Sequence, residues 1–405
     1  MLKRISVVHL RVGMYLQEMC GSWMDHPFWR NKFMVTDPQD VQRILDSNIR
    51  EVWIDTSKGL DIEAGQAVAE VAAEVAHMLN DAARDGGIVE QISMAEEVTR
   101  AAKIVTKAKD AVSSMFHEAR MGKALDTADA MPLVEEISNS VMRNPGAVIS
   151  LARLKTKDNY TYMHSVAVCA LMVALARQLG LNEQQTKQAG MAGLLHDIGK
   201  MMIPMEILNK PGKLTDDEFQ TIKRHPAEGH KMLLDGKGVD DVALDVCLHH
   251  HEKVDGSGYP ERLSGDQISL FARMGAICDV YDAITSNRPY KDGWDPAESL
   301  KKMAEWSKGQ FDPMIFQAFI KSIGIYPIGS LVRLESGRLG VVVDQSPTSL
   351  LTPMVKVFFS TKSNLRIAPE VVGLSLKTSR DKIISREDPA KWKFPDLNLL
   401  WGAPG

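Results

Sequence analysis

The run VAVCALMVALA, from Val166 to Ala176, carries no polar break along its length. Spanning a bilayer takes about twenty such residues, so the run is too short for that and reads as a helix buried in a protein core. Its surroundings have the same character. Apolar residues recur near helical spacing from Ile92 to Phe116, MPLVEEISNSVM continues the pattern, and nearly every segment from there to about Ile323 is helical. A mainly α, helical-bundle domain over 91–325 follows. At 405 residues the chain exceeds one ordinary core, and two or three domains are expected.

The flanks differ from this middle. Up to residue 60 the chain reads as a small α+β module, with ISVVHL and EVWIDT as strands. Between them, Asp37-Pro38 followed by Asp40 marks a helix start. Residues 61–90 form an Ala-rich connector, either a surface helix or a flexible link. Two more helix starts are explicit: the capping box TDDE at Thr215–Glu218, and Asp295-Pro296 with Glu298. Past Tyr326, GSLVRLESGRLGVVVDQ alternates around Glu335-Ser336-Gly337 and MVKVFF follows, so 326–405 reads as a small β-rich extension.

Composition narrows the function classes. A net charge of −4 spread over both signs supplies no basic field for a nucleic-acid polymer, although a few local cations can still hold a small anion. Cys20, Cys169, Cys247 and Cys278 form no CxxC pair, which argues against a zinc knuckle or a disulfide framework. His9 and Arg11 interrupt the apolar N-terminal stretch, a poor signal peptide. The expectation is a soluble cytoplasmic protein without a membrane partner.

Seven of the eleven histidines lie in one span of the helical region: His164, His196, His225, His230, His249, His250 and His251. Asp197, Asp255, Asp279 and Asp282 are interleaved with them. Imidazole with carboxylate suits Mn, Fe and Zn without thiolate. In LLHDIGK, adjacent His196 and Asp197 point about 100° apart on a helix, so they serve one site only at a helix end or when shared. A carboxylate can bridge two ions where an imidazole cannot, which makes Asp197 the economical bridge, with His196 on one ion.

CLHHHEKVDGSGYP, Cys247 to Pro260, adds three histidines, Glu252, and a turn through Gly256 and Gly258 that returns the backbone towards them. DVYDAITSNRPYK places Asp279 and Asp282 at i and i+3 on one helix face, with Arg288 and Lys291 just beyond. Metal-binding carboxylate with cations nearby is what a phosphoester needs.

With His196-Asp197, His225-Pro226, HHExxDGxGYP from His250 to Pro260, and DxYDAxTxxRPY from Asp279 to Tyr290, the chain resembles the HD-GYP family, a branch of the HD metal-dependent phosphohydrolases. The resemblance covers roughly Asn159 to Phe319. The stretch from GMYLQEM to IDTSKG is similar to a module of unknown function that often precedes HD-GYP domains.

The resemblance implies hydrolysis of cyclic di-GMP to pGpG, GMP or both, by two-metal activation of a bridging water. It implies metal ligands at His164, His196, Asp197, His225, His250, His251 and Asp279, with Asp197 and Lys200 catalytic. Lys200, Arg288 and Lys291 would contact substrate phosphates, and Gly258, Tyr259 and Pro260 would form the loop beside the guanine. His249 falls outside the motif. Some members bring in a third metal through a glutamate where this chain has Tyr160, so two ions are expected, Fe or Mn, with Zn also compatible. Competing expectations are a hydrolase for another nucleotide and a regulatory module that senses cyclic di-GMP or docks a diguanylate cyclase through the GYP loop.

Overall fold

In the computed structural model, residues 166–176 lie inside the helix Tyr160–Gln178, and none of their side chains is more than 5% exposed. The apolar run is therefore buried around its whole circumference. The structure describes the chain except residues 22–25, 29–31, 85–91, 155–159, 209, 211–213, 287–292, 347–348, 377–378, 380 and 403–405. For 82–84, 160 and 390 only the backbone is described. The chain divides into two compact units, Met1–Asn80 with Lys301–Gln310, and Asp81–Leu300 with Phe311–Gly405.

The first unit contains β1 (Leu2–Ser6), β2 (Tyr15–Cys20), β3 (Phe33–Met34), α1 (Pro38–Leu45), β4 (Glu51–Asp55), β5 (Gln66–Ala67) and most of α2 (Val68–Arg84). Its strands form one antiparallel sheet in the order β3-β2-β4-β1-β5. Ile5, Leu16, Ile44, Ile49, Val52 and Ile54 fill its core. The Asp37 carboxylate caps α1 by accepting from Gln39 N at 2.8 Å, with Pro38 in the first turn.

One strand assignment needs correcting. The ISVVHL segment is mostly not a strand: β1 ends at Ser6 and Val7–His9 form a 3-10 turn, closed by Leu10 N donating to Val7 O. Val8 is exposed there, so its β-branched character reports no sheet packing. The Ala-rich stretch holds α2, whose Val71, Val75 and Leu79 bury one face at successive i+4 positions.

The second unit begins with α3 (Met94–Arg120), α4 (Thr127–Arg143), α5 (Pro145–Arg153), α6 (Tyr160–Gln178), α7 (Glu183–Leu195), α8 (Met205–Leu208) and α9 (Asp216–Ile222). It continues through α10 (His225–Leu234), α11 (Asp241–His249), α12 (Leu270–Thr285), the start of α13 (Pro296–Gln310) and α14 (Pro313–Ile323). Helix α6 is central and packs against α3, α4, α5, α7, α12 and α14. Both anticipated helix starts form. Thr215 and Glu218 make a reciprocal capping box, and Asp295 accepts from Ala297 N and Glu298 N.

A second antiparallel sheet follows, made of β6 (Leu331–Leu334), β7 (Arg338–Asp344), β8 (Met354–Ser360), β9 (Leu365–Gly373) and β10 (Ile383–Arg386) in the order β10-β6-β7-β8-β9. Its faces alternate with period two except at a register shift in β8 between Val357 and Phe359. Val332, Leu334, Val342 and Val355 point to one core, and Leu331, Leu339, Phe358 and Phe359 to the other. The short helices α15 (Pro389–Trp392) and α16 (Leu397–Leu400) cover the second face. Asp344 joins this sheet to the helices: its Oδ2 accepts from Met94 N, at the start of α3, at 2.7 Å. No described helix is long and apolar enough to cross a membrane.

Candidate metal centre

Helix α7 ends at Leu195, just before the His-Asp pair. His196 is its C-cap and keeps helical dihedrals, whereas Asp197 turns away at φ −102°, ψ 9° into a 3-10 turn over Ile198–Met202. Asp197 makes no capping hydrogen bond, so its carboxylate is not committed to the backbone. The next glycine sets the approach of a neighbour. A Cβ at Gly199 would lie 1.9 Å from His225 O and 2.4 Å from Gly229 N, so only glycine lets this turn press against the start of α10. His225 is thereby delivered beside Asp197. His164 comes from α6, His250 and His251 from the end of α11, and Asp279 and Asp282 from α12.

Four imidazoles are anchored through Nδ1. His196 donates to Gly193 O at 2.8 Å, His225 to Ile222 O at 2.8 Å, and His250 to Val246 O and Cys247 O at 3.0 and 3.1 Å. His164 Nδ1 meets Asp282 Oδ2 at 2.6 Å. A carbonyl or carboxylate oxygen only accepts, so the proton sits on Nδ1 and the lone pair on Nε2. These Nε2 atoms converge: His164 on His196 at 3.3 Å, and His225 on His250 at 3.3 Å. Buried lone pairs this close repel unless a cation stands between or beside them.

Asp197 serves both pairs. Its Oδ2 is 3.3 Å from Nε2 of both His164 and His196, and its Oδ1 is 3.2 Å from His225 Nε2 and 3.8 Å from His250 Nε2. Asp279 Oδ1 adds to the first pair, 2.9 Å from His164 Nε2. Three donor groups have ligand atoms within 4.8 Å of one another: His164, His196 and Asp279; His225, His250 and His251; and His196, Asp197 and His250, which joins them. Asp197 Oδ1 and His251 Nε2 are buried without a hydrogen-bond partner among the described residues, as atoms reserved for a metal would be. The residues fit a pair of divalent ions held by N and O donors.

The electrostatics agree. Burial opposes ionisation of Asp197, but Lys200 and His196 outweigh it and hold the carboxyl well below its usual range. Asp279 is likewise held low against burial, chiefly by His164. Burial, reinforced by His196 and His225, pushes His250 down to about 3, and burial with His250 lowers His251, so both stay neutral and able to ligate. His164 goes the other way: burial works against its charge, but Asp197, Asp279 and Asp282 raise it well above the ordinary value. A field that favours a proton there favours a divalent cation more.

Other residues singled out in the sequence are placed as follows. Lys200 Nζ donates to Asp197 Oδ2. Tyr259 stacks on His251 with ring centroids 4.7 Å apart at 27°, and Gly258 and Pro260 flank it. His249 turns away, bonded through Nδ1 to Asp245 at 2.7 Å, and His230 belongs to none of the donor groups. Arg288 and Lys291 lie outside the described residues, and so does the side chain of Tyr160. Asp279 and Asp282 hold opposite nitrogens of the His164 imidazole, a role for Asp282 that the sequence alone does not reveal. Their i, i+3 spacing was the available signal.

Residues 2–130 match a domain of unknown function, DUF3391, and residues 139–315 match the HD domain. The chain is 56% identical over 402 residues to "Cyclic di-GMP phosphodiesterase PA4108" of Pseudomonas aeruginosa, covering 99% of this chain and 96% of that protein. It is 43% identical to "Cyclic di-GMP phosphodiesterase response regulator RpfG" of Xanthomonas campestris, over 36% of this chain and 39% of the other. It is 38% identical to "3'3'-cGAMP-specific phosphodiesterase 1" of Vibrio cholerae, over 47% of this chain and 42% of that protein.

Proposed function

The chain belongs to the HD-GYP family of phosphodiesterases, and from that premise we propose that it hydrolyses cyclic di-GMP at a centre of two divalent ions. One observation carries the reading: the two oxygens of Asp197 face two different histidine pairs. His164, His196 and Asp279 would hold one ion, and His225, His250 and His251 the other, with Asp197 shared. An N/O donor set without thiolate favours iron or manganese and accommodates zinc. Tyr160, in place of a carboxylate, supports two ions rather than three. Residues 91–325 would form the catalytic domain, 1–60 and 61–90 the N-terminal module and its connector, and 326–405 an extension.

Once bound, such a pair of ions supplies a water acidic enough to be deprotonated near neutral pH and positive charge for the phosphoryl oxygens. The chain's residues do the rest. Asp282 and the backbone carbonyls keep protons on Nδ1, so each anchored imidazole presents Nε2 inward. Lys200, already at the Asp197 carboxylate, neutralises negative charge on the substrate phosphate, with Arg288 and Lys291 assisting. The Gly258-Tyr259-Pro260 loop borders the base. The bond from phosphorus to the ribose 3′ oxygen breaks, giving pGpG and, after a second hydrolysis, GMP. A docking role towards a diguanylate cyclase would not need so complete a buried donor set.

The test is anaerobic purification, metal quantification, and turnover of cyclic di-GMP and 3′,3′-cGAMP with Mn or Fe supplied, beside Asp197→Ala. Two equivalents of metal and cyclic di-GMP cleavage that the variant lacks are expected. No turnover of either nucleotide would sink the enzyme reading. Preference for cGAMP would reassign the substrate, and three tightly bound equivalents would contradict the two-ion assignment.

A further inference from the structure

His251 is the exception among the five clustered histidines. The other four have a ring nitrogen tied by a hydrogen bond at Nδ1, whereas among the described residues His251 Nε2 has no hydrogen-bond partner and its Nδ1 is 3.8 Å from Asp279 Oδ2, too far for one. Packing alone orients this ring. His250 and His225 pack near it, with centroids at 4.1 and 5.1 Å, and Tyr259 lies almost flat against it. Tyr259 therefore forms one wall of the space that holds His251.

Tyr259 is itself placed by the residue after His251. Glu252 is 2% exposed, and its Oε1 accepts from Glu261 N at 2.7 Å and Arg262 N at 3.0 Å, closing the loop just past Tyr259. Tyr259 N donates to His251 O at 3.2 Å on the near side. Gly258 permits the fold-back, because a Cβ there would lie 2.4 Å from Glu252 Cα and 2.6 Å from His251 O. The other Glu252 oxygen, Oε2, is buried without a hydrogen-bond partner among the described residues. A carboxylate buried half-satisfied is a poor stabiliser. What it achieves is geometric: it ties residues 261 and 262, just past Tyr259, to the helix end that carries His250 and His251.

We propose that Glu252 is a positioning residue for the metal centre, clamping the 256–262 loop so that Tyr259 stacks on His251 and fixes that imidazole within its donor group. The inference rests on the reading of His251 as a ligand. It changes the part played by Tyr259, which serves as a wall for a ligand as well as a border of the substrate site.

Titration of the metal-free chain with Mn2+, followed by calorimetry, tests it. Glu252→Ala is expected to weaken one of the two binding events about 10–100-fold and leave the other unchanged, the usual effect of losing an outer support of a ligand. Glu252→Gln, which keeps an acceptor oxygen for the two amides, should bind nearly as the parent does. If His251→Ala weakens one event while Glu252→Ala binds as the parent, the clamp is wrong although the site reading stands. If His251→Ala itself binds as the parent, the site reading fails. Should Glu252→Ala lose both events together, Tyr259→Leu decides with the clamp intact: selective weakening upholds the proposal, and unchanged binding overturns it.

Discussion

Asp282 accepts the Nδ1 proton of His164 at 2.6 Å, which forces the lone pair of that imidazole onto Nε2, 2.9 Å from Asp279 Oδ1. Two carboxylates one helical turn apart thus hold the two nitrogens of a single ring. Asp282→Ala should leave Asp279 in place but free the ring to rotate and change tautomer. Metal affinity at the His164 group should then fall about 10–100-fold, and excess metal should restore turnover. Parent-like affinity by Mn2+ titration would show that Asp282 does not orient this ring.

The contact of Gly199 with His225 supplies a second prediction. A methyl group at Gly199 would stand 1.9 Å from His225 O, and backbone must move to admit it. Gly199→Ala should lower stability by about 1–3 kcal/mol and shift His225 away from Asp197. Thermal unfolding should show the loss, and metal analysis should show fewer than two equivalents bound. A parent-like melting temperature with full metal content would mean that the turn relaxes freely.

A third prediction concerns pH and lies away from the metal site. Asp295 caps the start of α13 through Oδ1, while Oδ2 is buried without a hydrogen-bond partner among the described residues. Burial raises its carboxyl to about 6, against partial compensation by the Glu298 amide and Arg153. The folded state therefore binds this proton more tightly than the unfolded state. Its contribution to stability is fully present below pH about 4 and is lost as pH rises through about 6. Asp295→Asn keeps a good N-cap without the buried charge, and should stabilise the protein by about 2 kcal/mol above pH 7. The gain should shrink below pH 6 and vanish near pH 4. A gain independent of pH across melts from 5 to 8 would refute the assignment.

Much of the architecture was legible because burial leaves a local record. The apolar circumference of α6, the capping residues Asp37, Thr215 and Asp295, and the alternation of β6, β7 and β8 about Gly337 are visible in a window of a few residues. Other elements left no such record. Strand β9 is an exposed edge strand with Pro369 inside it, so it needs no apolar alternation. Val7–His9 carry strand-like side chains, but tertiary context closes them into a turn.

For the site, residue types and spacings marked a broader cluster of histidines and aspartates that also held His230, His249, Asp255 and Asp282, and the narrower set of His164, His196, Asp197, His225, His250, His251 and Asp279 came from the family resemblance. Neither could show that α7 stops just before His196 so that Asp197 turns away from it, nor how one aspartate's oxygens are shared between two histidine pairs. Tyr259 is the instructive residue. The sequence marks it only as part of a loop motif, whereas its ring lies against His251.

By itself the sequence determined the helical core, the two flanking modules and the set of metal-competent side chains, since these follow from hydrophobic periodicity and donor chemistry. Only the tertiary structure decided which nitrogen of each histidine faces inward, which residues hold the ligands in place, and that Gly199 and Glu252 belong to the site. Those properties depend on backbone carbonyls, amides and close approaches between segments far apart in the chain, and no local pattern of side chains encodes them.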